Sequence, residues 1–295
     1  MITAVIINSF FNQWKSMKIK VYGYSHSPWV QAVLLALFDK RVEHILYQSP
    51  PTEVFKKWGV YMPAISINDE PWEVESMSIL QKFDYEEISP EELEAANKAW
   101  QGVLHRPNNP LRFFSSFARG GQTSGLILSN LKNNFLLSFV SLYMFTLINI
   151  GKRTLKQKEP DDFGNQFIYW ENKLLSSSGP FMDGEEPGTR DLVMFGIVQC
   201  HASIPVPALD AILNDHRLEN FRAWILIMQK RFKGYPYLYS AKYFESDASS
   251  PKNAGFFQRG IFFLGLCVMI AALPVTIPLI LFLMRRVQEH RIKNF

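Results

Sequence analysis

Serine followed by proline at Ser27-Pro28, just before the apolar run Trp29–Phe38, sets a hydroxyl at a helix start. Serine suits the cap position and proline the first helical position, so helix initiation alone accounts for the pair. The same place offers unpaired N–H groups and the positive end of a helix dipole, which favour an anion. Ser25, two residues earlier, is the alternative hydroxyl, and His26 between them reads as a loop residue rather than a base. Met62-Pro63 heads the apolar stretch Ala64–Ile67, where the plain reading is a proline opening an edge strand. Glu75-Ser76 opens a helix through Phe83; Ser76 suits the cap, and a hydroxyl with free N–H groups at a helix start also suits a carboxylate.

Other chemistries lack their residues. Cys200 and His201 are adjacent rather than spaced as chelators, and no His-x-x-x-His exists, so a metal site is not expected. There is no Gly-rich phosphate loop and no Gly-x-Ser-x-Gly elbow. Two cysteines exclude a disulfide scaffold. A net charge of +4 over 295 residues, partly carried by the last eleven, argues against nucleic acid as a partner.

The elements that must position these residues come in the order βαβ…ββα within the first seventy residues after Met17. Strands are expected at Ile19–Tyr22, Val42–Tyr47, Met62–Ile67 and Trp72–Val74, with Asn68-Asp69-Glu70-Pro71 as a turn. That order predicts a small α/β domain with helices on both sides of a mixed sheet. Beyond Ser89 strand signals nearly vanish. Helices are expected over about 90–101, 126–150, 162–176, 189–200, 207–214 and 219–232, an all-helical second domain with its boundary at Ser89-Pro90.

One segment stands apart. Gly260–Met284 runs 25 residues without a charge, bounded by Arg259 and Arg285-Arg286. As a helix it would reach roughly 37 Å, against roughly 30 Å of bilayer hydrocarbon. Pro274 and Pro278 inside it would kink it or break it into halves. A second apolar stretch, Phe135–Ile150, is 16 residues and carries Ser, Thr and Asn, short for a span and suited to a buried or interfacial helix. Residues 1–17 form an extension without the pattern of a signal peptide, in which Val5–Phe11 could be a small docking helix. The expectation is a lipid-bilayer partner and a single kinked span, with the main domain cytoplasmic. The tail 285–295, with four basic residues against one acidic, opposes a simple crossing and keeps a re-entrant bend as the alternative.

These residues resemble the cytosolic glutathione transferases, over about Lys18 to Glu245. Ser27-Pro28-Trp29 is similar to the Ser-Pro-Phe start of the serine-type members. Met62-Pro63-Ala64-Ile65 is similar to their Val-Pro-x-Leu with its cis-proline. Glu75-Ser76-Met77-Ser78-Ile79 is similar to the Glu-Ser-x-x-Ile that holds the γ-glutamyl end of glutathione. Gly179–Gly184 followed by Pro187–Leu192 looks like their Phe-Leu-x-Gly…Pro-Thr-x-x-Asp segment, where Asp191 would be structural.

The resemblance implies a thioredoxin-like domain over 18–88, an all-α transferase domain over 89–245, a linker over 246–259, the membrane segment over 260–284 and the basic tail over 285–295. It implies glutathione as co-substrate, held by Met62, Pro63, Glu75 and Ser76, and Ser27 (or Ser25) as the catalytic hydroxyl that favours the thiolate. His105, Phe113 and Phe117 lie where the family builds its pocket for a hydrophobic small molecule, although helical spacing would bury those phenylalanines as core in any case. A homodimer is a further implication. The alternative function is a non-catalytic transferase-like binding or scaffold protein at the membrane. Two departures favour it: Gln31 and Ala32 stand where many members carry arginines, and Gly188 replaces a Ser or Thr, leaving half a capping box with Asp191.

Overall fold

The computed structural model describes residues 17–121, 126–154, 160, 162–244 and 247–293. Nearly all of the N-terminal extension, the boundary at 245 and the end of the basic tail lie outside the described residues. The first domain contains β1 (Ile19–Tyr22), α1 (Pro28–Asp39), β2 (His44–Tyr47), α2 (Thr52–Trp58), β3 (Ala64–Ile67), β4 (Glu73–Val74) and α3 (Ser76–Gln81). The sheet order is β2-β1-β3-β4. β1 and β2 are parallel, with Ile19 opposite His44, because α1 carries the chain back between them. β3 and β4 run antiparallel, with Tyr22 opposite Ala64 and Ala64 opposite Val74. The turn between them uses Asn68 and Asp69 at φ 52° and 64°, residues that tolerate the left-handed region. This is the mixed sheet expected from the residue pattern.

Strand alternation divides the interior in two. Ile19, Val21 and Ile65 face α1 and α3 and join the larger core with the helical domain. Tyr22 and Ala64 face the other way, into a second cluster with Val54 and Trp58 of α2.

The helical domain comprises α4 (Pro90–Trp100), a 3-10 stretch (Gln101–Asn108), α5 (Pro110–Arg119), α6 (Ile127–Thr154), α7 (Ile168–Leu175), α8 (Thr189–Ser203), α9 (Pro207–Asn214) and α10 (Glu219–Arg231). Ser89 and Glu92 close a full capping box at the start of α4. α8 is the central helix and packs along α1. Gly196 makes that approach possible: a Cβ there would stand 2.6 Å from the Pro28 carbonyl oxygen. The first turn of α1 is thus pinned by α8.

Four elements depart from expectation. α2 and α5 were not expected, because Thr52–Trp58 is short and α5 follows a proline-rich loop. α6 starts where expected and runs four residues past the expected end at 150, and with Leu131, Lys132 and the asparagines before Phe135 continuing the apolar stretch Phe135–Ile150 it is long and apolar enough to cross a membrane by length and composition. The segment 260–284 is not one helix. It divides into α11 (Phe256–Ala271) and α12 (Leu273–Lys293), bent by 95°. The break falls at Ala272 because Pro274 offers no N–H to continue α11 and is well accommodated in the first turn of a new helix. α8 and α9 form another bent apolar pair, at 114°, but α8 is core throughout.

Candidate functional site

β1 ends, β3 begins and β4 ends at one edge of the sheet, as their registers require. That edge gathers three segments: the turn Gly23–Ser27 after β1, Met62-Pro63 before β3, and Glu75-Ser76 after β4. The glutathione-site residues expected from sequence are therefore brought together by topology, with Ser25 and Ser27 beside them.

Ser27 is the N-cap residue of α1 and Pro28 its first residue, yet the Ser27 hydroxyl accepts no cap hydrogen bond. Helix initiation explains the backbone here but not the side chain. The hydroxyl is half-buried at the helix start. Ser25 differs. It is buried, and its Oγ lies 2.8 Å from the Tyr239 hydroxyl. Its carbonyl accepts from Gln31 Nε2 at 2.7 Å, and Gln31 Oε1 accepts from the Tyr235 hydroxyl at 2.7 Å. Gln31, noted in the sequence only as a missing arginine, is the buried tie between the turn and the segment Tyr235–Tyr239. Burial pushes the Tyr239 hydroxyl up to about 12, so it remains a neutral donor.

His26 lies beneath the turn, 5% exposed, stacked on Tyr239 and tilted against Phe117 at 4.6 Å between ring centroids. Neither ring nitrogen has a hydrogen-bond partner among the described residues. Burial, reinforced by the Arg106 charge, lowers its pKa to about 3, so it is neutral at physiological pH and is not positioned as a base. Arg106 supports the turn from below. Its guanidinium donates to the His26 carbonyl at 3.3 Å, to the Cys200 carbonyl, to Cys200 Sγ at 3.0 Å and to Ser203 at 3.3 Å. His201 turns instead to the Ala99 carbonyl at 2.9 Å, so the adjacent Cys-His pair is not one ligand set.

Across the sheet edge, Met62-Pro63 is cis, as the motif implies. Glu75 sits at φ 79°, a left-handed conformation that a non-glycine residue holds only where the surroundings impose it, at a cost of about 1–3 kcal/mol. The Tyr61 hydroxyl donates to Glu75 Oε1 at 2.6 Å, leaving the exposed carboxylate a second oxygen to offer. Ser76 begins α3.

The three residues expected in a hydrophobic pocket separate. Phe113 and Phe117 are buried in an aromatic group with Phe114 and Phe145, and Phe117 reaches the site turn through His26. His105 lies edge-on to Phe163 at 5.0 Å. Asp191 is structural: it accepts from the N–H groups of Met182, Asp183 and Gly188 and from Trp224 Nε1 at 2.7 Å. Gly188 contributes its N–H, which is the half box that the sequence leaves. A cleft of about 730 Å³ opens away from the sheet edge, between Asp39, Tyr85, Asp183, Arg190 and Arg231.

Sequence reasoning missed Gln31, Arg106 and Tyr235 as supports. The alternation Tyr235, Tyr237, Tyr239 was a legible signal of a strap, but its target lies some two hundred residues away in the chain.

No family model matches the chain, and no curated protein matches it. Among solved structures, a Bombyx mori glutathione transferase is similar at 17% identity and a TM-score of 0.43, covering 77% of this chain and 96% of its own. A rice glutathione transferase solved with glutathione is 12% identical at 0.40, covering 86% and 97%. A delta-class transferase from Nilaparvata lugens is 16% identical at 0.39, covering 85% and 99%. These likenesses are distant, and the sheet topology and site geometry carry the functional reading instead.

Proposed function

We propose that the protein is a membrane-attached glutathione transferase, which binds glutathione at the sheet edge and adds its thiolate to a hydrophobic electrophile. One observation carries the reading: an uncapped serine hydroxyl at the start of α1 shares an edge with a strained acidic residue at the start of α3. In this reading the tripeptide lies extended along the edge and pairs with the Met62 backbone, as an added strand does. The Glu75 carboxylate takes the ammonium of the γ-glutamyl end, and the Ser76 hydroxyl with its neighbouring N–H groups takes the carboxylate.

The Ser27 hydroxyl donates to sulfur, which stabilises the thiolate once the thiol proton has gone to solvent. The sulfur lone pair then forms the C–S bond, and the electron pair it displaces leaves with the leaving group or is protonated. Cytoplasmic exposure of the main domain, attachment through 260–284, and a homodimer belong to the same proposal. A non-catalytic binding protein is the second reading. Its support is the buried state of Phe113 and Phe117, which offer no open wall to an electrophile.

The test is thiol conjugation by the full-length protein in detergent or lipid, using glutathione and a chromogenic aryl halide. Turnover that falls with Ser27→Ala supports the enzyme. Binding without turnover in a folded sample supports the second reading.

A further inference from the structure

The apolar helices α6, α11 and α12 carry polar residues within a buried seam that is otherwise apolar, and on α11 and α12 the exposed side is apolar as well. On α6, Asn130, Asn134, Ser138 and Ser141 are all buried at helical spacing. Bonds along their own helix hold part of this stripe: Asn134 Nδ2 donates to the Asn130 carbonyl at 2.8 Å, Ser138 to the Phe135 carbonyl at 2.6 Å and Ser141 to the Ser138 carbonyl at 2.8 Å. α11 lies on this stripe. Gly265 approaches so closely that a Cβ there would sit 2.5 Å from Ser138 Oγ. Small and polar residues at the helix seam, with apolar residues outside, are how helices pack in lipid. The outer side agrees, since Leu264 is 64% and Val275 70% exposed and no charge lies between Arg259 and Arg285.

The ends of these helices nevertheless return to the protein. α6 is tied near its start by Ser49 to Asn133 at 3.2 Å and at its end by Lys152 to Asn108 at 3.1 Å. Those ties are about 28 Å apart along the helix, so α6 lies along the body. A crossing there would also place α1 and α8, which pack together, on opposite sides. α11 begins where the Ala254 N–H donates to the Arg119 carbonyl at 2.7 Å. α12 comes back to the body at Ile280 and Leu283, both buried with Val54 and Trp58 of α2.

We propose that α6, α11 and the apolar half of α12 seat the protein in one leaflet of a lipid bilayer, with the chain entering and leaving on the same side. This rests on the membrane attachment proposed above and replaces the single span with an in-plane anchor. The charge-free, exposed apolar side of α11 and α12 favours lipid as the occupant, and the exposed apolar tips Leu126–Leu128 and Phe256-Phe257 extend the same surface. Arg259 and Arg285, flanking the charge-free run, suit anionic headgroups.

The test uses the full chain with Cys267→Ser, retaining the buried Cys200, and two added cysteines, Asn253→Cys and Gln288→Cys, that bracket the hairpin. The protein is reconstituted in phosphatidylcholine–phosphatidylglycerol vesicles and treated with an impermeant polyethylene-glycol maleimide. An in-plane anchor gives molecules labelled at both sites or at neither. Molecules labelled at one site only would overturn the in-plane anchor and leave attachment intact. Failure to float with vesicles, or a doubled mass in solution without flotation, would overturn attachment itself. Val275→Asp should lower vesicle partitioning at least tenfold, and unchanged partitioning would count against lipid contact at the bend.

Discussion

Replacing Gln31 by methionine keeps the length of the side chain and removes both polar atoms that hold the site turn. In the native protein Gln31 is fully buried, and its partners Ser25 and Tyr235 are 5% and 3% exposed. The substitution leaves the Ser25 carbonyl and the Tyr235 hydroxyl without partners. At about 1–3 kcal/mol for each buried unsatisfied group, the expected destabilisation is about 2–6 kcal/mol. The third contact, to the Tyr237 carbonyl at 3.4 Å, is too long to add much. Tyr235→Phe removes one donor and should cost about 1–3 kcal/mol. The double variant should cost less than the two singles together, because it removes both ends of one bond. Denaturant unfolding of the solubilised full chain, followed by tryptophan fluorescence, measures these differences. Glutathione titration of the same folded samples should show weaker binding, since Ser25 and Ser27 share the turn. If Gln31→Met unfolds within about 0.5 kcal/mol of native, the range of an inert surface change, the turn is not held as described.

The remaining expectations concern catalysis, acid stability and the domain seam. Ser27→Ala should lower turnover about 10–1,000-fold while leaving glutathione affinity within a few-fold, by analogy with removing one oxyanion donor; Ser25→Ala should act mainly on stability, and the reverse pattern would assign the wrong serine. Burial of Glu92 opposes its charge, but Arg190, the Ser89 N–H and Lys173 overcome it and hold its pKa down at about 2 against 4.5. That carboxylate therefore adds stability above pH 4.5 which is lost as pH falls toward 2, worth about 3 kcal/mol at neutral pH; Glu92→Gln should flatten an acid-unfolding curve in that window, and an unchanged curve would refute the assignment. Gly196→Val should push α8 off the first turn of α1 and cost about 1–3 kcal/mol, with a loss of glutathione binding that an equally destabilising change in α10 would not reproduce.

The sheet and most of the second domain were legible because their signals are local. Alternation in Ile19–Tyr22, the turn at Asn68-Asp69 and the helix start at Ser89-Pro90 each act within a few residues. Ser27, Met62-Pro63 and Glu75-Ser76 were found as motifs, and their meeting follows from strand order alone. What was hidden depends on long-range contacts. Gln31 read as a departure because its value lies in Tyr235, and Arg106 gave no local signal because Cys200 and Ser203 are nearly a hundred positions away. The tail looked like a single span because composition records apolarity but not where a helix returns. The break at Ala272 followed from the prolines in kind, though not in its angle.

The central claim is that glutathione binds at the sheet edge through Glu75 and Ser76. Calorimetric titration of glutathione into the full-length protein in lipid nanodiscs tests it most directly. The account predicts saturable binding of one glutathione per chain, weakened about tenfold or more by Ser76→Ala, the loss expected for a hydrogen bond to a charged group. Folded protein that gives no heat with millimolar glutathione, or binding indifferent to Ser76→Ala, would contradict it.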